Sequence, residues 1–330
     1  MILAGDIGGT KTNLALFQPE DTELREIRQD TFPSKDFASL EAVIQHFLQS
    51  GGPSIHSACF GVSGPVINGK CKTTNLPWVL DAKKIGQRFG IATVILLNDL
   101  EAMAYGTLRL SEKECFALNE GQPEIKGNRC IIAAGTGLGE SILFWNGSQF
   151  LASASEGGHA DFAPRNSLEI RLLEFLLNRY SRVSYERILS GPGLFNIYQF
   201  LRESGQGVEP SWLKESLERE DPAEVISKAA LAEQSELCVK ALDLFASIYG
   251  AEAGNLALKV MATGGVYIGG GIGRKIVKKL EDGSFLKSFK EKGRMDPLMS
   301  RMPVKVILNE KSALLGAAHY ANHFKLSKSS

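Results

Sequence analysis

A unit of strand, glycine-rich turn and strand is written twice in this chain, and that repetition constrains the fold more than any other feature. Near the start, the apolar run Ile2–Gly5 leads into Asp6-Ile7-Gly8-Gly9-Thr10-Lys11 and resumes as Thr12–Phe17. Mid-chain, Cys130–Ala134 leads into Gly135-Thr136-Gly137-Leu138-Gly139 and resumes as Glu140–Trp145. Both read as β-hairpins, because short apolar and β-branched runs flank a turn whose glycines accept backbone angles closed to other residues. A period this long does not make a solenoid; it predicts two similar domains facing each other. The length agrees, since at 330 residues a single hydrophobic core becomes hard to sustain.

Helical and strand patterns alternate around the hairpins. Leu40, Val43, Ile44, Phe47 and Leu48 recur at helical spacing within Ser39–Leu48. Ser57–Val62 reads as a strand closed by Ser63-Gly64-Pro65, and Asp81 as the N-cap of a helix ending at Phe89. Thr93–Leu97 reads as a buried strand that runs into Asn98-Asp99 and a helix through Tyr105. In the second half, helices are expected over Leu168–Tyr180, Ala223–Tyr249 and Ala251–Met261. A strand then enters the cluster Val266–Gly273, a basic helix Arg274–Leu280 follows, and a strand Val304–Leu308 precedes a helix Ser312–Asn322. The polar tail Lys325–Ser330 is expected to fray. No low-complexity linker separates the halves, so the expected division is a small α/β domain, 1–108 plus about 304–324, and a large α/β domain, 109–303, with a packed junction.

Charge and cysteine content exclude several classes of function. Lysine plus arginine number 37, as do aspartate plus glutamate, so nothing favours nucleic acid or a membrane surface as a partner. Five scattered cysteines without a C-x-x-C encode neither a disulfide framework nor a cysteine zinc site. With no signal-peptide pattern and no apolar run near the ~20 residues of a spanning helix, a cytoplasmic protein is expected.

Three glycine clusters compete to hold phosphate: Gly8-Gly9-Thr10, Gly135-Thr136-Gly137 and Gly269-Gly270-Gly271. Glycine lets the backbone approach an anion and turn its N–H groups inward, although any one cluster alone also reads as a tight turn. No G-x-x-x-x-G-K-[ST] is present, which excludes a P-loop. Glu140 and Arg274 stand where a third glycine would complete a dinucleotide fingerprint. The combination is more telling. Two facing hairpins, Asp6-Ile7-Gly8-Gly9-Thr10-Lys11 and Gly135-Thr136-Gly137, would clamp a triphosphate such as that of ATP from both sides. Asp6 would then stand near a phosphate-bound Mg²⁺, through water because Mg²⁺ keeps most of its hydration shell. Lys11 either neutralises phosphate charge or is a solvated surface lysine.

A second group of residues suits a polyhydroxy ligand. Asn98-Asp99 sits where a strand gives way to a helix, the place where open α/β sheets collect ligands, though Asp99 would equally cap that helix. Glu156 and His159 are three apart, a metal-pair spacing on a helix. Gly157 and Gly158 between them argue instead for a loop whose side chains converge on vicinal hydroxyls, with a structural core histidine as the alternative. Asn75 and the Ser63-Gly64-Pro65 turn are further candidates, whereas Trp78 reads as packing.

Taken together, these segments resemble the bacterial glucokinases of the actin–hexokinase–chaperone ATPase superfamily. The resemblance runs from Gly5-Asp6-Ile7-Gly8-Gly9-Thr10 through Leu97-Asn98-Asp99, Ala134–Gly139 and Glu156–Pro164 to Leu189-Ser190-Gly191-Pro192-Gly193. It implies a two-domain α/β actin-like, ribonuclease-H-like ATPase fold, with mixed sheets flanked by helices and a cleft between the domains. It implies transfer of the γ-phosphoryl of ATP to the 6-hydroxyl of glucose. Asp99 is then the catalytic base, Asn98, Asp99, Glu156, His159 and Glu186 bind the sugar, and the Gly269-Gly270-Gly271 cluster serves adenosine. Relatives of this kind are often homodimers. A larger sugar-kinase and repressor group carries a cysteine zinc motif after its Glu–His segment; here that stretch is Asp161–Asn166, without cysteine, so no zinc is expected. The phosphate loop begins at residue 6, so no DNA-binding helix-turn-helix is expected ahead of it. The rival readings are a kinase of another hexose or an N-acyl amino sugar, and a non-catalytic actin-like ATPase or sugar sensor.

Overall fold

Both glycine turns close antiparallel hairpins in the computed structural model, which describes residues 1–20, 23–49 and 53–327. In chain order the first elements are β1 (Ile2–Ile7), β2 (Lys11–Glu20), β3 (Glu23–Pro33), α1 (Leu40–Leu48) and β4 (Ser57–Val62). The short β5 (Val66–Ile67), β6 (Lys70–Lys72) and β7 (Val79–Asp81) follow, then α2 (Ala82–Phe89), β8 (Thr93–Asn98) and α3 (Asp99–Gly106). The middle contains β9 (Cys115–Asn119), β10 (Arg129–Ala134), β11 (Leu138–Trp145) and β12 (Phe150–Ser155). Next come α4 (Ser167–Leu177), α5 (Gly191–Glu203), α6 (Ser211–Arg219), α7 (Pro222–Leu231) and α8 (Glu236–Val260). The last elements are β13 (Gly265–Gly269), α9 (Gly270–Lys275), α10 (Val277–Glu281), α11 (Ser284–Lys290), α12 (Asp296–Arg301), β14 (Val304–Ile307) and α13 (Ser312–Ser327).

The chain divides into two compact units, Met1–Glu114 with Ala152–Ala154 and Asn309–Ser330, and Cys115–Leu151 with Ser155–Leu308. In the first, a five-stranded sheet has the order β3-β2-β1-β4-β8, antiparallel as far as β1 and parallel from β1 to β8. Ile2, Leu3, Ala4 and Ile7 are buried, as a central strand covered on both faces requires. The second unit's sheet has the order β12-β11-β10-β13-β14-β9, with β10, β13 and β14 parallel and β9 running back against β14. One topology, a three-strand meander continued by two parallel strands, is therefore built twice. Each unit has its own apolar core, and each is a mixed sheet flanked by helices, as the sequence implied.

The structure redraws several element boundaries. Val304–Leu308 was expected with the small domain, but β14 pairs with β13 and β9, and the return to the first unit starts at Asn309. The helices expected over Ala223–Tyr249 and Ala251–Met261 are α7 and the 25-residue α8; Glu233 with φ 54° breaks the first, and Ser235 caps the second through the Cys238 amide. Helix α9 begins at Gly270, earlier than the expected Arg274, and Ile276 separates it from α10. Strand β8 is an edge strand, only partly buried at Thr93–Ile95. Of the tail expected to fray, 328–330 lie outside the described residues, and α13 is helical through Ser327. This last helix packs on α3, β1 and β4. Gly106 and Gly316 allow that approach, since a β-carbon on either would strike the backbone carbonyl of Ser312 or Ala102.

Candidate active site

In the first unit the sheet register gathers the polar candidates along one edge. Ile7 pairs with Val62 and Val62 with Asn98, so Gly8, Ser63 and Asp99 are the next residues off the carboxyl ends of three adjacent parallel strands. Asn98 is the N-cap of α3: its Oδ1 accepts from the Leu100 amide (2.9 Å), and Glu101 returns a capping-box bond to the Asn98 amide (3.0 Å). Asp99 therefore opens the helix rather than capping it. Its Oδ1 accepts from the Leu100 amide (2.9 Å) and its Oδ2 from Ser63 Oγ (2.9 Å), which fixes the carboxylate from both sides. Asp6 is near enough to Asp99 to feel its charge. Burial first, and Asp99 second, push the Asp6 carboxyl up to about 6 against the pull of the Asn13 amide, 3.3 Å away.

The turn beside them is braced from outside the hairpin. Gly8 N donates to Lys11 O (3.0 Å), Ser34 N to Thr10 O (3.0 Å) and Ser34 Oγ to Gly8 O (2.8 Å). Thr10 and Lys11 are exposed, Ile7 is buried in the sheet, and the exposed Asn75 packs against Gly9.

In the second unit, Gly135 N donates to Gly137 O (2.9 Å) and Gly191 N to Gly135 O (2.8 Å), so the hairpin tip meets the start of α5. Ser190 caps that helix through the Gly193 amide (3.0 Å). Gly270, at φ 79°, lies so close to the Ala134 carbonyl that a β-carbon would strike it, which seats Gly269-Gly270-Gly271 beside the same tip. A cavity of about 520 Å³ opens there, lined among others by Thr136, Pro192, Asp221, Ser227, Gly271 and Lys275. Gly269 and Gly270 do not line it.

The same unit brings the remaining candidates together. Gly157–His159 is one 3₁₀ turn rather than the loop expected, with Glu156 before it. Tyr185–Arg187 is a second such turn, with Glu186 at its middle. Glu186 Oε2 accepts from the Leu138 amide (3.0 Å) at the end of the glycine hairpin. His159 Nε2 is 3.9 Å from Glu156 Oε2 and its Nδ1 is 3.8 Å from Glu186 Oε1, so three exposed or half-exposed polar side chains converge without hydrogen-bonding one another. Arg182 holds the His159 carbonyl from behind.

A family model for glucokinase matches residues 3–324. The chain belongs to the glucokinase family. The glucokinase of Trichormus variabilis is 43% identical over 334 residues, covering 96% of this chain and 98% of that protein. The Synechocystis sp. glucokinase is 42% identical, covering 96% of each. Among solved structures, the glucokinase from an Antarctic psychrotroph matches with a TM-score of 0.86 at 31% identity, covering 98% of each chain. The Balamuthia mandrillaris glucokinase in complex with glucose matches at 0.79 with 24% identity, covering 97% of this chain and 93% of that one, a likeness of fold alone. Membership in the glucokinase family makes this an ATP-dependent hexose kinase with the actin-like ATPase fold.

Within that family frame, Asp6, Asn75, Asn98 and Asp99 gather in the first unit, and Gly135–Gly137, Glu156, His159, Glu186 and Gly269–Gly271 in the second. Sequence reasoning missed Ser34, which has no motif around it, and Asp221, Ser227 and Lys275 in the cavity wall. For those three the available signal was the Asp221-Pro222 helix start, whose side chain caps the Glu224 amide (3.0 Å).

Proposed function

We propose that this kinase transfers the γ-phosphoryl group of ATP to the 6-hydroxyl of glucose, with Asp99 as the catalytic base. The orientation of the Asp99 carboxylate carries this reading. Ser63 and the Leu100 amide hold it at the strand ends where ligands collect. In a loose, metaphosphate-like transition state the acceptor is deprotonated late, so Asp99 orients the 6-hydroxyl and takes its proton as the new bond forms.

The remaining roles follow from chemistry already described. Asn98, Glu156, His159 and Glu186, with Asn75 at the margin, recognise sugar hydroxyls through hydrogen bonds, charge-assisted at the two carboxylates. The tip of the Gly135–Gly137 hairpin receives phosphate, and the cavity that adjoins it takes the adenosine. Ile7, Gly8, Gly9, Thr10 and Lys11 serve the phosphates from the first unit. Mg²⁺ fits beside Asp6: a carboxyl pushed up by burial and a second carboxylate is a site short of positive charge. When bound, the ion would neutralise phosphate oxygens, and Asp6 would reach it through water. A homodimer and a cytoplasmic location complete the proposal. The first rests on the resemblance alone and sedimentation tests it; the second is supported by five free cysteines.

The decisive experiment replaces Asp99. Asp99→Asn and Asp99→Ala should lower kcat by roughly 10²–10⁴ while ATP affinity stays within twofold, the span expected for losing a general base. Turnover near that of the parent enzyme in either variant overturns the assignment. A sugar panel of glucose, fructose, mannose and N-acetylglucosamine tests the acceptor.

A further inference from the structure

Beneath the Glu156–His159 turn lies a pair of carboxylates for which phosphoryl transfer has no use. Glu140, on β11, is 2% exposed, and Glu252, on α8, is 1% exposed. The Oε1 atom of each is buried without a hydrogen-bond partner. An orphaned polar atom of this kind costs about 1–3 kcal/mol, which an apolar side chain in the same place would avoid.

The pair sits against the sugar candidates from below. Glu140 Oε2 lies where a β-carbon on Gly157 would be, and Gly158 is pressed in the same way on the Leu138 carbonyl, so the turn rests on β11 through the Glu140 side chain at one glycine and through backbone at the other. Gly157 N donates to Ser155 Oγ (3.0 Å) beside it. From Glu252 the contacts continue to the second turn: Asn255 Nδ2 donates to Glu252 Oε2 (2.9 Å) and to the Tyr185 hydroxyl (3.2 Å), and Tyr185 adjoins Glu186. Lys292 Nζ completes the chain by donating to Asn255 Oδ1 (2.6 Å).

We propose that Glu140, backed by Glu252, is a positioning residue for glucose: it supports the underside of the turn bearing Glu156 and His159 and ties it, through Glu252, Asn255 and Tyr185, to the turn bearing Glu186. This rests on the reading that those three residues bind the sugar.

The charge balance says in which form Glu140 does so. Facing it are Glu252, Lys259 and Tyr249 from α8, Cys130 from β10, and Ser155 from β12. Of these only Lys259 is cationic, and it stands 3.9 Å from Glu252 Oε1, while Lys292, held on Asn255, acts on Glu252 as well. Burial, then the charge of Glu252, push Glu140 up to about 7, and burial also raises Glu252. With one proton between them, the pair buries a single negative charge. With none, two like charges repel directly under Gly157.

Steady-state kinetics at pH 6 and pH 8.5 on Glu140→Ala, Glu140→Gln and His159→Ala test this. Glu140→Ala should raise KM for glucose roughly tenfold or more, as small misplacements of a binding group do, with KM for ATP unchanged. Glu140→Gln, a permanently neutral isostere, should keep the parent KM at pH 6 and hold it at pH 8.5, where the parent KM climbs. A folded Glu140→Ala enzyme with the parent glucose KM overturns the inference. So does a Glu140→Gln enzyme that binds glucose poorly at pH 6 or keeps the parent's pH dependence, and this arm decides the matter if the alanine variant fails to fold. His159→Ala separates the two readings: a raised glucose KM there beside an unaffected Glu140→Ala sinks only the support role, whereas an unaffected His159→Ala removes the sugar assignment and this inference with it.

Discussion

A carboxyl held in a fold without a matching cation leaves its mark on stability as a function of pH. The usual Glu140 value of 4.5 rises to about 7 in the folded chain. The folded state therefore binds the proton more tightly, so the stabilising contribution is complete below about 4.5 and is lost as pH climbs through about 7. Glu140→Gln, which has no proton to lose, should gain on the parent protein between pH 5 and pH 8, by at most about 3 kcal/mol at 1.36 kcal/mol per unit. Urea unfolding at the two pH values measures it; an identical difference at both contradicts the buried pair. Asp6 shifts in the same direction, but it is common to both proteins and cancels. Asp6 and Asp99 were legible in the sequence because each sits in a motif at a strand end. Glu140 was legible only as the residue that spoils a dinucleotide fingerprint. Strand alternation tells which face a side chain takes but not what covers that face. Ser63, 36 residues before the carboxylate it holds, shows the same limit: partners joined by sheet register leave little local trace.

Elements rich in glycine contacts are the most exposed to small changes. Helix α13 lies on α3 so closely that a β-carbon on Gly316 would meet the Ala102 carbonyl. Gly316→Ala should lever α3 outward, cost about 1–3 kcal/mol as overpacking does, and lower kcat because Asp99 opens that helix. Thermal melting with a kinetic assay checks both; an unchanged kcat would mean that α3 absorbs the shift beyond its first turn. Helix positions were readable wherever an apolar stripe and a cap coincided, as at Ser39 and Asp81, which accept from Ala42 N and from Lys83 N and Lys84 N. They failed at α7 and α8. There helix-compatible residues continue through Ala232-Glu233-Gln234 while the backbone does not, because Glu233 takes a left-handed angle that composition cannot announce.

At the scale of the molecule, the double hairpin was sufficient to announce two related sheets, since a strand–turn–strand unit that recurs carries its partners with it. The point of return was misjudged by one strand: β14 is as apolar as any first-unit strand, and pairing rather than composition decides which sheet it joins. A chain ended after Leu308 keeps every candidate residue and loses only the last helix. It should nevertheless be inactive, with the first unit's amides exchanging freely and those of the second protected. Hydrogen exchange resolves the two, and a protected β1–β4 ladder in the shortened chain would contradict it. The order of synthesis gives this closing helix a further consequence. Residues 1–114 leave the ribosome long before their missing piece, which waits behind the whole of the second unit. At ordinary translation rates the delay is roughly 10–40 s, during which the other face of β1 and β4, the one that carries Ala4 and Cys59, lacks its lid. Nascent chains of this architecture thus expose apolar surface by construction, and codon changes that slow the later half lengthen that exposure.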